Sequence, residues 1–160
     1  MRYVAASLFL AGSLAAPLIA SQAGGGAPAG QRVRACEILT KDLALKVSTK
    51  EGKGVVEKSK VFEDDLGLDT PSCKRGRIMV VLNPFKNPAQ YRKTLGKDWT
   101  PVPGIGEEAL YRGGNTFADL YVFNGARTFA TQISVAPDDT PDTVKANSIA
   151  LAKEVAAKLR

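Results

Sequence analysis

Two cysteines, Cys36 and Cys73, and two carboxylate runs, Glu63-Asp64-Asp65 and Glu107-Glu108, are the residues of this chain whose types invite chemistry. The 160-residue sequence contains no histidine. That removes the usual general base, the Ser-His and Cys-His nucleophile pairs and the commonest metal ligand. An even cysteine count makes a single Cys36–Cys73 disulfide the leading expectation, and closing a loop of that length stabilises by about 4 kcal/mol. A redox pair would need Cys-x-x-Cys spacing to lower a thiol pKa, and that spacing does not occur. Neither a Gly-x-Ser-x-Gly elbow nor a Ser-x-x-Lys motif is present, so an enzyme built on this chain would work with carboxylates, Lys, Tyr or Ser.

A carboxyl of raised pKa in Glu63-Asp64-Asp65 or Glu107-Glu108 would supply a glycosidase-like acid. Adjacent side chains diverge, however, and nothing in the sequence sets a second carboxylate opposite, so solvated surface is the ordinary reading. Glu63, Asp64, Asp65 and Asp69 together invite calcium, but their spacing lacks the glycine that an EF-hand loop requires. Gly104-x-Gly106-x-x-Ala109 matches a relaxed dinucleotide fingerprint only formally. Pro101 and Pro103 stand where its strand belongs, and Glu107 and Glu108 would repel a pyrophosphate. No cofactor and no metal are expected.

The elements that must position these residues follow a secretion signal. Arg2 precedes a nearly continuous apolar run over 3–20, and Ser21-Gln22-Ala23 is a small-x-small cleavage site, so residues 1–23 read as a cleaved signal peptide. No cysteine stands just after it to carry a lipid anchor. A periplasmic or extracellular location is therefore expected, an oxidising setting that agrees with the disulfide. Residues 24–35, opening on three glycines, read as a flexible lead-in, and 36–160 is the size of a single domain.

Thr40 is placed to cap a helix over 41–47, with Leu39, Leu43 and Val47 on one face. Residues 48–60 read as charged loop or exposed strand. The apolar run 77–82 is a buried strand, with Cys73 at its entrance. Asn87-Pro88 starts a helix running to Leu95. Strands over 109–112, 116–123 and 126–135 turn through Gly113-Gly114-Asn115 and Asn124-Gly125, the latter a preferred hairpin dipeptide. Thr140-Pro141 opens a long helix to Leu159, whose Val144, Ser148, Leu151, Val155 and Leu159 make a stripe. The expected architecture is α+β in two layers, one strand plus a three-strand meander forming an antiparallel sheet, with two or three helices on one face.

Among binding features, the formal net charge of +6 concentrates at Lys74, Arg75 and Arg77, with Lys86, Arg92, Lys93 and Lys97 following. Brought together, these would attract an acidic protein or an anionic envelope polymer. Scattered solubilising charge is the blander reading, and nucleic acid would want a denser stripe with stacking aromatics. The segment with Trp99, Pro101, Pro103 and Ile105 is a second candidate, a rigid contact loop in which Trp99 either stacks on a ligand or sits half-buried.

Ala35-Cys36-Glu37-Ile38-Leu39-Thr40, Ser72-Cys73, the stretch from Pro103 to Tyr111 and an alanine-rich terminal helix resemble a group of uncharacterised bacterial secreted and lipoprotein domains over 36–160. The resemblance implies a disulfide-bearing extracytoplasmic α+β domain and brings no catalytic residue. The residues point to a secreted, non-enzymatic binding or accessory domain. The rivals are an inhibitor-like module inserting the Trp99 loop into an enzyme cleft, and a histidine-free hydrolase using carboxylates.

Overall fold

The computed structural model describes residues 33–65, 70–85, 87–125 and 127–159. The expected signal peptide, and all of the lead-in up to residue 32, lie outside the described residues. The first element among the described residues is the short helix α1 (Ala35–Ile38), which contains Cys36. Helix α2 (Lys41–Lys46) follows, and the Thr40 hydroxyl accepts from the Leu43 N–H at 3.2 Å, the expected cap. Helix α3 (Lys50–Lys58) lies where loop or exposed strand was expected. Its pattern hides in sequence because Gly52 and Gly54 lower helix propensity and Val56 is its one buried apolar side chain. Thr49 caps it by accepting from the Gly52 N–H, and Gly52 lies so near Ser48 that an added Cβ would come within 3.2 Å of the Ser48 Cβ.

The sheet is larger than expected. Seven strands pair throughout antiparallel in the order β1-β2-β3-β7-β6-β5-β4: β1 Phe62–Asp65, β2 Pro71–Arg75, β3 Ile78–Leu82, β4 Thr100–Pro101, β5 Glu108–Gly113, β6 Phe117–Asn124 and β7 Arg127–Ser134. The expected single strand is β3 and the expected meander is β5 to β7, joined directly by β3–β7 pairing that sets Val80 opposite Thr131. The strands that sequence patterning passed over are those toward the two edges. β1 reads Phe-Glu-Asp-Asp, β2 has one inward apolar residue in Cys73, and β4 is two residues long, so none shows the alternation that marks a strand.

Cys73 accordingly sits inside β2, opposite Val80, and not at the entrance of β3. The disulfide to Cys36 joins α1 to β2 across a Cα–Cα distance of 5.0 Å. Arg75, two residues on, donates to the Leu39 carbonyl just past α1, adding a second tie between the same elements.

Register sorts the side chains onto two faces. On one, Ile78, Val80, Leu82, Ala109, Tyr111, Ala118, Leu120, Val122, Phe129 and Ile133 form the core with α1, α2, Val56 of α3 and the long helix α5 (Pro141–Lys158). Thr140 caps α5 by accepting from the Thr143 N–H, and Pro141 occupies its first turn. Ser148 lies fully buried in the α5 stripe because its hydroxyl donates to the Val144 carbonyl at 2.9 Å.

The opposite face carries Met79, Val81, Asp119, Tyr121, Phe123, Ala130 and Gln132. Helix α4 (Pro88–Thr94), capped by Asn87, packs here and not beside the other helices, since Arg92 lies over the Phe123 ring and Tyr91 meets Tyr121 edge-on. The sheet therefore has helices on both faces, although α4 covers only part of the second. The physical reason is in β6, where Tyr121 and Phe123 alternate with Leu120 and Val122, leaving apolar side chains to bury on each side.

Candidate binding face on the outer side of the sheet

Strand β6 places Asp119, Tyr121 and Phe123 on the outer face at successive alternate positions, and β3 and β7 add Met79, Val81, Ala130 and Gln132 in register beside them. The chain leaving β3 turns at Asn83, a non-glycine residue at φ 48°, and so carries Phe85 and then Tyr91 of α4 over these strands. The result is two ring stacks meeting at steep angles. Trp99 stacks on Tyr121 at 4.3 Å, and Phe85 lies between Tyr91 at 4.0 Å and Phe123 at 5.4 Å. Phe85 meets Tyr121 at 70° and 5.1 Å. Such pairs contribute about 0.5–1.5 kcal/mol each beyond the area they bury.

Cations finish both stacks. The Arg92 guanidinium lies 4.5 Å from the Phe123 ring centre and pairs with Glu108 at 2.7 Å. Arg112 lies 4.7 Å from the Trp99 ring centre and donates to Asp119 Oδ2 at 2.9 Å. The other Asp119 oxygen, Oδ1, accepts from Gln132 Nε2 at 2.8 Å. Asp119 is only 7% exposed, and the two donors are what make the burial of its carboxylate tolerable. Burial, a hydrogen bond with Tyr91 and the charge of Asp119 push the Tyr121 phenol well above its ordinary pKa, so it is neutral throughout the physiological range.

Where the stacks meet, a groove of about 290 Å³ opens, lined by Phe85, Tyr91, Tyr121, Asp119, Gln132 and the floor residues Met79 and Val81. A wider hollow of about 560 Å³ lies at the β5–β6 turn and the start of α5. Tyr111 is the one aromatic ring in its lining. Its Asp139 is engaged with the Ala136 N–H at 2.8 Å, and its Lys145 lies 5.7 Å over the Tyr111 ring. The groove is the better candidate because its lining converges half-buried rings on a held polar pair.

The structure distributes the basic residues singled out in sequence. Lys74 is exposed on the outer face beside Met79, whereas Arg75 turns inward to the Leu39 carbonyl. Arg77 lies with Ser48, Asp139 and Asn147 at a small cleft between α3 and α5, across the sheet from α4. Arg92 belongs to the ring cluster, Lys93 and Lys97 are exposed, and Lys86 lies outside the described residues.

The contact-loop residues separate as well. Trp99 is half-buried and stacked, Pro101 pairs with Leu110, Pro103 is exposed, and Ile105 is 2% exposed within the core. Gly106, at φ 60°, brings the chain against β6, and the Glu107 N–H donates to the Phe123 carbonyl at 3.0 Å. These contacts hold the loop flat on the sheet. Glu63 pairs with Arg34 and Asp64 is exposed, while Asp69 and the Asp65 side chain lie outside the described residues. Among the described residues no group of three or more His, Cys, Asp or Glu is arranged to hold a metal, and no helix is long and apolar enough to cross a membrane.

Sequence reasoning missed Phe85, Tyr91, Arg112, Asp119, Tyr121 and Gln132 as a site. The available signal was the double apolar character of β6, which calls for a cover on the second face. Gln132 and Arg112 carry no local mark, because cross-strand register alone sets them beside Asp119. No protein-family model matches the chain, and neither a curated protein nor a solved structure matches it.

Proposed function

We propose that this protein is a non-enzymatic binding domain of the periplasm or cell exterior that takes its partner on the outer face of the sheet. One observation carries the reading: the core face is closed by four helices, whereas the outer face leaves half-buried Phe85, Tyr91 and Tyr121, with Trp99 stacked behind Tyr121, along an open groove with a preset polar pair. Natural sheets cover or charge such faces when they serve no purpose. The disulfide supports an oxidising compartment. A chain without histidine, whose cysteines are joined to each other, lacks the commonest general base and the thiol nucleophile.

The test is capture from a cell-envelope fraction by the immobilised oxidised domain, compared with Phe85→Ala and with a Lys74→Glu, Lys93→Glu, Lys97→Glu triple variant. Retention that is lost in Phe85→Ala and kept in the triple variant is the expected result. Retention that depends on the lysines and ignores Phe85 would refute the outer-face groove and favour an anionic partner held by surface charge.

A further inference from the structure

Resting on that reading, we infer that the groove binds a neutral sugar ring of a glycan chain. Three features of the lining select this chemistry. Phe85, Tyr91 and Tyr121, meeting at 61° and 70°, line the groove together with Met79 and Val81, an apolar surface that accommodates the C–H groups of a pyranose. Gln132 spends one N–H on Asp119, so its carboxamide oxygen and second N–H remain as an adjacent acceptor and donor. Neighbouring sugar hydroxyls, each both donor and acceptor, are the natural complement of such a pair.

Charge decides between a neutral and an ionic ligand. Asp119 is buried on the groove wall and neutralised by Arg112, so the lining is polar without net charge. A phosphate or carboxylate entering it meets the Asp119 anion, and an ammonium finds both Asp119 oxygens already taken by Arg112 and Gln132. An uncharged polyol meets neither penalty. Size agrees, since about 290 Å³ is at the lower limit of small-molecule sites and far from what an extended lipid chain or a folded partner needs. The polar groups are also held before any ligand arrives. Gln132 is fixed by Asp119, Asp119 by Arg112, and Arg112 by the Trp99 ring, so little side-chain freedom is lost on binding.

Trp99 is the single tryptophan of the chain and stacks on Tyr121 at the groove, so its emission reports occupancy. The experiment titrates the oxidised protein with neutral oligosaccharides of glucose, xylose, mannose and N-acetylglucosamine, and with oligogalacturonate as the charged comparison. A saturable emission change with at least one neutral oligosaccharide is expected, insensitive to salt. Affinity should fall about tenfold in Phe85→Ala and by a similar factor in Gln132→Met, which keeps volume and loses both polar groups. Thermal melts confirm that each variant is folded.

Absence of a response to every neutral sugar, a salt-sensitive response to oligogalacturonate alone, or wild-type binding by a folded Gln132→Met protein would each overturn the inference. If sugars fail while envelope capture still requires Phe85, only the ligand class falls. If both fail, the outer-face reading falls with it.

Discussion

Replacing Cys36 and Cys73 with alanine removes a crosslink between residues 37 apart in sequence. In the chain-entropy expression, a loop of that size restricts the unfolded chain by roughly 13 cal/mol/K, or about 4 kcal/mol at room temperature. For a domain of this size that is between a quarter and most of an ordinary stability of roughly 5–15 kcal/mol. The location of the bond sharpens the expectation. α1 is four residues long, lacks a side-chain cap, and is tied to β2 by the disulfide and the neighbouring Arg75–Leu39 hydrogen bond. A helix of one turn has no independent stability, so Ala35, Ile38 and Leu39, all buried, should loosen once the bond is gone.

Urea unfolding followed by Trp99 fluorescence and far-UV circular dichroism measures the effect. With a slope of roughly 2 kcal/mol per molar urea, the midpoint should fall by about 2 M. Reduced wild type and the Cys36→Ala/Cys73→Ala variant should agree to within about 1 kcal/mol, the margin for the sulfur atoms lost from the core. A midpoint that moves by less than about 0.5 M in both would refute the argument that this loop closure carries a large share of stability.

The other expectations concern the turn, the buried carboxylate and the phenols. An added Cβ at Gly106, at φ 60°, would lie 2.8 Å from Val122 Cγ1 and 2.9 Å from the Phe123 carbonyl oxygen, whereas at Gly104, at φ 79°, it meets nothing within 4 Å. Gly104→Ala should therefore cost only the left-handed backbone strain of about 1–2 kcal/mol, and Gly106→Ala distinctly more. Equal losses in chemical denaturation would show that the clash is relieved. Asp119→Ala leaves Arg112 and Gln132 without their acceptor and should destabilise by about 1–3 kcal/mol; Asp119→Asn, which can still accept, should cost less.

Tyr111 and Tyr121 both have phenol pKa values raised above the ordinary value, chiefly by burial. An acid whose folded pKa is raised ionises first in the unfolded chain, so its contribution is full below about pH 10 and stability falls as pH rises above that value. Tyrosinate absorbance during an alkaline titration should show these two ionising above the ordinary phenol value, and Tyr121→Phe should remove the latest step. Ionisation of Tyr111 and Tyr121 near the ordinary value of about pH 10 in a folded protein would contradict the buried assignment.

Much of this architecture was legible in the chain. Thr40, Asn87 and Thr140 cap helices at the expected residues, Asn124-Gly125 turns the β6–β7 hairpin, and Cys36 and Cys73 are joined. Each depends on interactions within a few residues, or on there being only two cysteines to pair, so a linear reading reaches it. The strands β1 and β4 escaped because an edge strand need not alternate: its backbone is held by one neighbour, and its side chains are free to be charged; β2, next to the edge, escaped because Cys73 is its one inward apolar residue. Helix α3 escaped because its two glycines conceal a segment held by a cap and one buried valine.

The sequence by itself determined the chemistry open to this protein: no imidazole anywhere, two thiols that find only each other, and rings supplied by few positions. Only the tertiary structure decided where that chemistry stands. Arg112, Asp119 and Gln132 come from three strands and meet through register, and Phe85, Tyr91 and Trp99 reach Tyr121 because the segment after β3 crosses to the outer face. Side-chain type is a property of each residue alone, whereas a site is a property of distances between residues far apart in the chain, and those distances exist only once the sheet has closed its ladder of hydrogen bonds.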